Sequence, residues 1–106
     1  MRTYELRTYT LSSAAALEHY RTVNYLRHLT SLAHHHIGLH GLWIASDGAP
    51  VLHVLVSFAD GEDPDEVTRR YMNSPELTAD MEGFDVSNIV DVKTTRLTPS
   101  IGSPLL

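Results

Sequence analysis

The sequence contains no cysteine. Disulfide bridges, thiolate metal sites and cysteine nucleophiles are therefore excluded. Basic residues are also scarce, since 8 Lys and Arg stand against 13 Asp and Glu, and no basic run is present in a chain of formal charge −5. Proteins that bind nucleic acid usually present clustered positive charge to the phosphate backbone, so the sequence predicts no nucleic-acid partner.

Long apolar runs are missing as well. No stretch approaches the roughly 18 residues that a membrane-spanning helix requires. The N-terminus shows no basic segment followed by an apolar one, which is the pattern of a secretory signal. We therefore expect no membrane association and a cytoplasmic location. The length of 106 residues and the hydrophobic content of 42% are typical of one compact domain.

The segment from Leu52 to Phe58 is apolar at nearly every position, so both of its faces need cover. Turn residues bracket it, with Gly48-Ala49-Pro50 before it and Asp60-Gly61 after it. This pattern is typical of a strand in the middle of a sheet. The rest of the chain supplies helices for one face only. The other face is therefore predicted to pack against a second copy of the chain.

Polar–apolar alternation, capping residues and turn residues divide the remaining chain into elements. The predicted elements are strands at 2–11, 37–45 and 88–97, a long helix from 14 to about 35, and short helices opened by Asp63-Pro64 and by Ser74-Pro75. The order β-α-β-β-α-β predicts a ferredoxin-like α+β fold over residues 1–97. Residues 98–106, which contain two prolines and a glycine, are predicted to form a C-terminal arm.

Two neighbouring stripes of the long helix are candidates for the face that meets the sheet. With successive side chains turned by about 100°, one stripe carries Glu18 and Tyr25, and the other carries Asn24 and His28. The sequence leaves this choice open. In the second strand, strict alternation places Trp43 on the same face as Leu39.

Two patterns that could indicate catalysis or metal binding are interpreted as structural instead: the pair Glu5 and Arg7, and a run of three histidines. Glu5 and Arg7 are two positions apart on a strand and share a face, where they can pair with each other or with a partner strand. We interpret them as a cross-strand ion pair rather than as catalytic groups. Consecutive side chains in the run His34-His35-His36 point in different directions and cannot converge on one ion. We interpret the run as the end of the long helix, where cationic side chains complement the helix dipole, and a metal site that combines one of these histidines with His28 or His53 stays open.

Four stretches of the chain together resemble the NIPSNAP family. They are Tyr4-Glu5-Leu6-Arg7-Thr8-Tyr9, His36-Ile37 followed by Gly41-Leu42-Trp43, the strand Val51–Phe58, and Leu97-Thr98-Pro99 with Ser103-Pro104-Leu105. The resemblance spans nearly the whole chain and implies the dimeric α+β barrel fold, in which two ferredoxin-like sheets face each other. The wider superfamily includes cofactor-independent monooxygenases, isomerases, polyketide cyclases and haem-binding enzymes. No shared catalytic motif is carried over, so the resemblance implies a fold more than a reaction.

Polar side chains at positions expected to line the space between sheet and helices suggest an enzyme. The candidate catalytic residues are His53, His28, Glu18 and Tyr25, and the candidate substrate-binding residues are Tyr4, Trp43, His40 and Tyr71. A neutral imidazole can remove a proton from an acidic carbon or phenol near pH 7. We predict a small homodimeric tailoring enzyme, a cofactor-independent isomerase, cyclase or monooxygenase, acting on an apolar, aromatic or polyketide-like small molecule. No cofactor is expected and no metal ligand is assigned.

Two alternatives stay open. Seven histidines in so short a chain are compatible with a metal- or haem-dependent enzyme. If His53 is only hydrogen-bonded within the core, the chain is a non-catalytic ligand-binding or interaction protein.

Overall fold

The computed structural model describes all 106 residues. Four strands and four α-helices form in the predicted order, together with one π-helical and one 3₁₀ turn. They are β1 (Thr3–Leu11), α1 (Ala14–His19), the π turn (Tyr20–Asn24), α2 (Tyr25–His34), β2 (Ile37–Ile44), β3 (Val51–Phe58), α3 (Pro64–Met72), α4 (Pro75–Asp80), the 3₁₀ turn (Val86–Asn88) and β4 (Ile89–Leu97). The arm at 98–106 contains no helix or strand.

The strands form one antiparallel sheet in the order β2-β3-β1-β4. This is the strand order of a ferredoxin-like α+β fold, so the predicted fold class is confirmed. All helices pack on one face of the sheet, which we call the covered face, and we call the other the open face. Leu52, Val54 and Val56 of the central strand β3 point into the covered face and belong to the hydrophobic core. None of the helices combines the length and apolar character needed to cross a lipid bilayer.

Helix starts follow the capping signals in the sequence. The side chain of Ser13 accepts a hydrogen bond from the Ala16 amide at the start of α1. Asp63 and Ser74 cap α3 and α4 in the same way, each directly before a proline at the first helical position. Because each cap starts its own helix, two short helices form between β3 and β4 instead of one long helix.

The π turn resolves which stripe of the long helix meets the sheet. The second stripe is buried, including Asn24 and His28, and Tyr25 is buried as well. Consecutive residues such as Asn24 and Tyr25 lie about 100° apart in a regular α-helix, but the wider π turn lets both side chains reach the interior. The long helix therefore buries side chains from both predicted stripes.

A bulge in β2 changes the face of the sheet on which Trp43 lies. The pairing of β2 with β3 shifts between Leu39 and Gly41, and His40 is the extra residue. A bulge of this kind reverses the alternation of side chains beyond it. Trp43 therefore lies opposite His53 on the open face, whereas strict alternation would place it on the covered face with Leu39.

Candidate functional site

The structure separates the eight predicted site residues into three places. Four lie on the open face, three lie beneath the helices, and Glu18 lies on the outer surface. The open-face group is Tyr4, His40, Trp43 and His53, and the inner group is Tyr25, His28 and Tyr71. The expectation that all of them surround one space between sheet and helices is therefore wrong. His53 faces away from the helices because its neighbours Leu52 and Val54 face toward them.

The open-face group makes local contacts across the sheet. Nδ1 of His53 lies 3.1 Å from the Thr8 hydroxyl on β1. The ring of Tyr4 packs against His40, with the ring centroids 5.1 Å apart. Trp43 remains 51% exposed, and its ring lies over Gly41, where an added Cβ would be 2.1 Å from a ring carbon. These contacts place the imidazole of His53 against a hydroxyl rather than in an enclosed cavity.

Glu18 does not face the interior. Its carboxylate pairs with Arg21, one turn further along the same helix, at 2.7 Å, and its side chain is 61% exposed. The leucine preceding it, Leu17, takes the buried position. Glu18 therefore belongs to a surface ion pair, because the long helix turns the stripe of Leu17 toward the sheet.

The inner group forms a buried polar network. Nδ1 of His28 lies 3.0 Å from a carboxylate oxygen of Asp80 and 2.7 Å from the hydroxyl of Tyr71. Burial lowers the pKa of His28, and the hydrogen bond to Asp80 opposes this shift only in part. Asn24 donates to the backbone carbonyls of Asp80 at 2.9 Å and Glu82 at 3.2 Å. The network thus ties the end of α4 to the long helix.

A cavity of about 530 Å³ lies between the covered face and the helices, on the side of strand β4. Apolar side chains make up most of its wall, and polar groups come from β1, the π turn, α3 and β4. The lining residues are Glu5, Arg7, Tyr9, Tyr20, Thr68, Met72, Leu77, Met81, Val86, Ile89, Val92 and Thr94. None of the eight residues predicted for the site is among them. We call this space the β4 cavity.

A buried charge network forms the polar floor of the β4 cavity. Nε of Arg7 donates to one oxygen of Glu5 at 2.8 Å, and Nη2 of Arg96 donates to the other at 3.0 Å. The side chains of Arg7 and Glu5 are only 8% and 6% exposed. Nη2 of Arg7 lies 3.4 Å from the Thr68 hydroxyl, and Nη1 makes no hydrogen bond within the chain. Arg7 therefore has donor capacity left for a ligand.

The ionisation states in the β4 cavity follow from burial and neighbours. Burial by itself would lower the pKa of Arg7, but the nearby Tyr9 and the hydrogen bond to Glu5 raise it above its ordinary value. Burial raises the pKa of Tyr20, and Tyr9 adds to that shift. Arg7 is therefore a permanent cation, and Tyr20 is a neutral hydroxyl that can donate or accept a hydrogen bond.

No three histidine, aspartate or glutamate side chains come together as a potential metal site. His34 and His35 instead share one carboxylate, with Nδ1 of His34 and Nε2 of His35 lying 2.9 and 3.0 Å from the two oxygens of Glu76. His34 and His35 thus link the end of α2 to α4.

The sequence predicted that Glu5 and Arg7 pair with each other or with a partner strand, and the structure shows Glu5 paired with both Arg7 and Arg96 of β4. The sequence did not place these charges in a cavity. One available signal was that the odd-numbered face of β1 carries Glu5, Arg7 and Tyr9, while its position in the predicted topology makes β1 a central strand. Charged residues on the helix-facing side of a central strand are unusual, because burial of a charge is costly without a function or a partner. Tyr20 and Thr68 gave no comparable signal.

Comparisons with known proteins agree with this architecture. The NIPSNAP family model matches residues 4–104 of the chain. Among curated proteins no match is found. A NIPSNAP family protein of unknown function from Agrobacterium tumefaciens is similar in structure, with a TM-score of 0.79, 20% identity, and coverage of 99% of this chain and 94% of the other. A second from the same organism has a TM-score of 0.82 and 16% identity, with both chains covered completely.

A more distant structural neighbour comes from Caulobacter crescentus and is proposed as an antibiotic biosynthesis monooxygenase. It has a TM-score of 0.68 and 11% identity, with 93% of this chain and 90% of the other covered. Identities this low establish a shared fold, and they leave the chemistry to the residues of each site.

Proposed function

The chain belongs to the NIPSNAP family, and from that premise we propose that its β4 cavity is the active site of a cofactor-independent enzyme. The substrate class is a small apolar molecule with an enolisable carbonyl or a phenol, aromatic or polyketide-like in character. The cavity volume of about 530 Å³ lies within the range of about 300–1,000 Å³ that small-molecule sites occupy. Its apolar wall suits such a ligand, and its charged floor provides one polar contact region.

The observation that carries this proposal is the Arg7–Glu5 pair at the cavity floor. A guanidinium with an unused Nη1 group and a carboxylate face the same apolar space. The first can stabilise negative charge on a substrate oxygen, and the second can accept a proton. Each oxygen of Glu5 accepts one hydrogen bond from a guanidinium and keeps a further lone pair.

The proposed step is a proton transfer within the β4 cavity. Glu5 takes a proton from a C–H or O–H group of the substrate, and the electron pair left behind moves onto the substrate oxygen as an enolate or phenolate. Arg7 donates a hydrogen bond from Nη1 to that oxyanion, and the neutral Tyr20 hydroxyl is available for a second. Isomerisation, cyclisation and reaction with molecular oxygen all start from such an anion. The likeness in fold to the Caulobacter crescentus protein supports this class.

The test is hydrogen–deuterium exchange at the acidic C1 position of 2-tetralone in deuterium oxide, followed by NMR. We expect the wild-type protein to accelerate exchange over buffer, and Glu5→Gln to reduce the acceleration by about 100-fold or more, in the range of one lost general base. Glu66→Gln is the matched control, because Glu66 pairs with Arg69 on the surface of α3. Exchange that is equally fast in wild type and Glu5→Gln refutes the proposed base.

A second candidate is a non-catalytic protein that binds an apolar anion in the same cavity. It is favoured by the absence of histidine from the cavity wall, since histidine is the side chain that most readily exchanges protons near neutral pH. In this case the fluorescent aromatic sulfonate 8-anilinonaphthalene-1-sulfonate binds to the wild type and binds less well to Arg7→Met, while 2-tetralone exchanges at the buffer rate with every variant.

We propose in addition that the chain works as a homodimer whose subunits meet through their open faces, and that it acts in the cytoplasm. Exposed apolar side chains on that side support the dimer, among them Trp43 and Leu97, together with Leu105 and the fully exposed Ile101 in the arm. A single sheet with helices on one face leaves its other face unburied, and a second copy provides matching apolar surface.

A further inference from the structure

One end of the open face gathers polar side chains around a glycine. Arg2 lies just before β1, Gly38 and His40 lie on β2, and Ser57 lies on β3 between them. A Cβ added at position 38 would collide with Ser57 Oγ at 2.5 Å and press against His40 Nε2 at 3.2 Å, and Arg2 Nη1 would lie at an ordinary contact distance of 3.8 Å. Three polar atoms from three strands or their ends therefore surround the bare backbone of Gly38.

A cavity of about 380 Å³ opens beside this glycine. Its lining residues are Arg2, Ala33, His36, Ile37, Gly38, Ser57 and Ala59. The ionisable members are Arg2 and His36, and no carboxylate lines the space. In a chain of formal charge −5, a cavity with only basic ionisable groups is a local exception, and it favours an anion.

The hydrogen-bond donors of Arg2 and Ser57 in this cavity are free to bind a ligand. Arg2 makes no ion pair with any carboxylate of the chain, whereas the neighbouring ammonium group of Met1 is held by Asp60 at 3.4 Å. Ser57 is 2% exposed, and its Oγ lies 2.8 Å from Nε2 of His40. When Nε2–H of His40 donates to Ser57 Oγ, the hydroxyl proton of Ser57 is free to donate to a ligand.

We propose that Arg2, Ser57 and His36 bind a tetrahedral oxyanion of the phosphate class at Gly38. The guanidinium supplies charge-assisted hydrogen bonds, and the buried hydroxyl supplies a fixed neutral donor. The cavity beside Gly38 gives an oxyanion access to both groups. The cavity wall combines the start of β2 and the end of β3 with Ala33 of α2, so the site opens at the end of the sheet. It shares no residue with the β4 cavity and does not depend on the proposed enzymatic function.

The test is a titration with inorganic phosphate, followed by the NMR resonances of the Ser57 amide and the His36 and His40 rings. We expect saturable shifts in the wild type, and an affinity reduced about tenfold in Arg2→Gln, as is typical for the loss of a charge-assisted contact. Gly38→Ala is expected to abolish the response. Arg69→Gln removes a charge from the surface of α3 and serves as the control with wild-type affinity.

Arg2 is exposed at the chain start, so Arg2→Gln tests the site even if Gly38→Ala fails to fold. Shifts that do not saturate, or that are equal in wild type and Arg2→Gln, overturn the site. Acetate at the same ionic strength is the second arm, and equal binding of acetate and phosphate overturns the assignment to a tetrahedral oxyanion.

Discussion

Replacement of Glu5 by leucine tests whether the charge network beneath the helices is buried as the structure shows. The substitution leaves the guanidinium of Arg7, whose side chain is 8% exposed, without its carboxylate. Removal of one partner of a buried ion pair typically costs about 3–5 kcal/mol of unfolding free energy, because an uncompensated charge remains in the interior. We expect a loss in this range for Glu5→Leu. A domain of this size is stable by about 5–15 kcal/mol, so the effect is large.

The opposite substitution is expected to cost less. In Arg7→Met the carboxylate of Glu5 keeps the Arg96 guanidinium at 3.0 Å, so the loss should be about 1–3 kcal/mol. The double variant Glu5→Leu/Arg7→Met replaces the pair by apolar side chains. It should lie within about 1–2 kcal/mol of the wild type, because no charge is left unpaired beneath the helices. The single losses are therefore strongly non-additive.

The measurement is urea unfolding of the four proteins, with stability taken from the midpoint at constant slope. Glu66→Leu is the control, since its partner Arg69 is on the surface and exposed ion pairs contribute at most about 1 kcal/mol. The reasoning is refuted if Glu5→Leu is no less stable than Glu66→Leu, or if the double variant loses the sum of both single losses.

Two further expectations concern pH and assembly. The pKa of His28 is lowered in the folded chain, mainly by burial, so the unfolded chain binds a proton that the folded chain does not. Stability therefore decreases as the pH falls below about 6.5, by at most about 1.4 kcal/mol per pH unit. Urea unfolding at several pH values should show this slope in the wild type and a shallower one in His28→Gln, and identical slopes contradict it. Light scattering after size exclusion should give twice the chain mass of 11.8 kDa, and a single-chain mass removes the proposed homodimer.

Local signals predicted the elements well. Capping residues and prolines fixed the starts of α3 and α4. Alternation identified β1, β2 and β4, and an apolar run between turn residues identified β3, all to within two residues at each end. Capping acts through hydrogen bonds within one turn, and alternation follows from the geometry of a single strand. Both are properties of short segments, so no knowledge of the rest of the fold was needed.

The candidate site was predicted less well, because a bulge in a strand or a π turn in a helix changes the face on which a side chain lies. The bulge at His40 turned Trp43 to the open face, and the π turn brought Asn24 and Tyr25 to the interior together. One extra residue in a strand or a helix turn changes the direction of every side chain that follows it. Gly41 beside the bulge is a local signal of the kind that often marks one, whereas the π turn has no comparable mark in the sequence.

By itself, the sequence determined the fold class, the order of the elements and the shared face of Glu5 and Arg7, because periodicity, caps and same-face spacing act over a few residues. Only the tertiary structure decided that this pair lies at the floor of a cavity and that His53 lies on the opposite face. A cavity is the space left between packed elements, and its position depends on how α3, α4 and β4 come together in three dimensions.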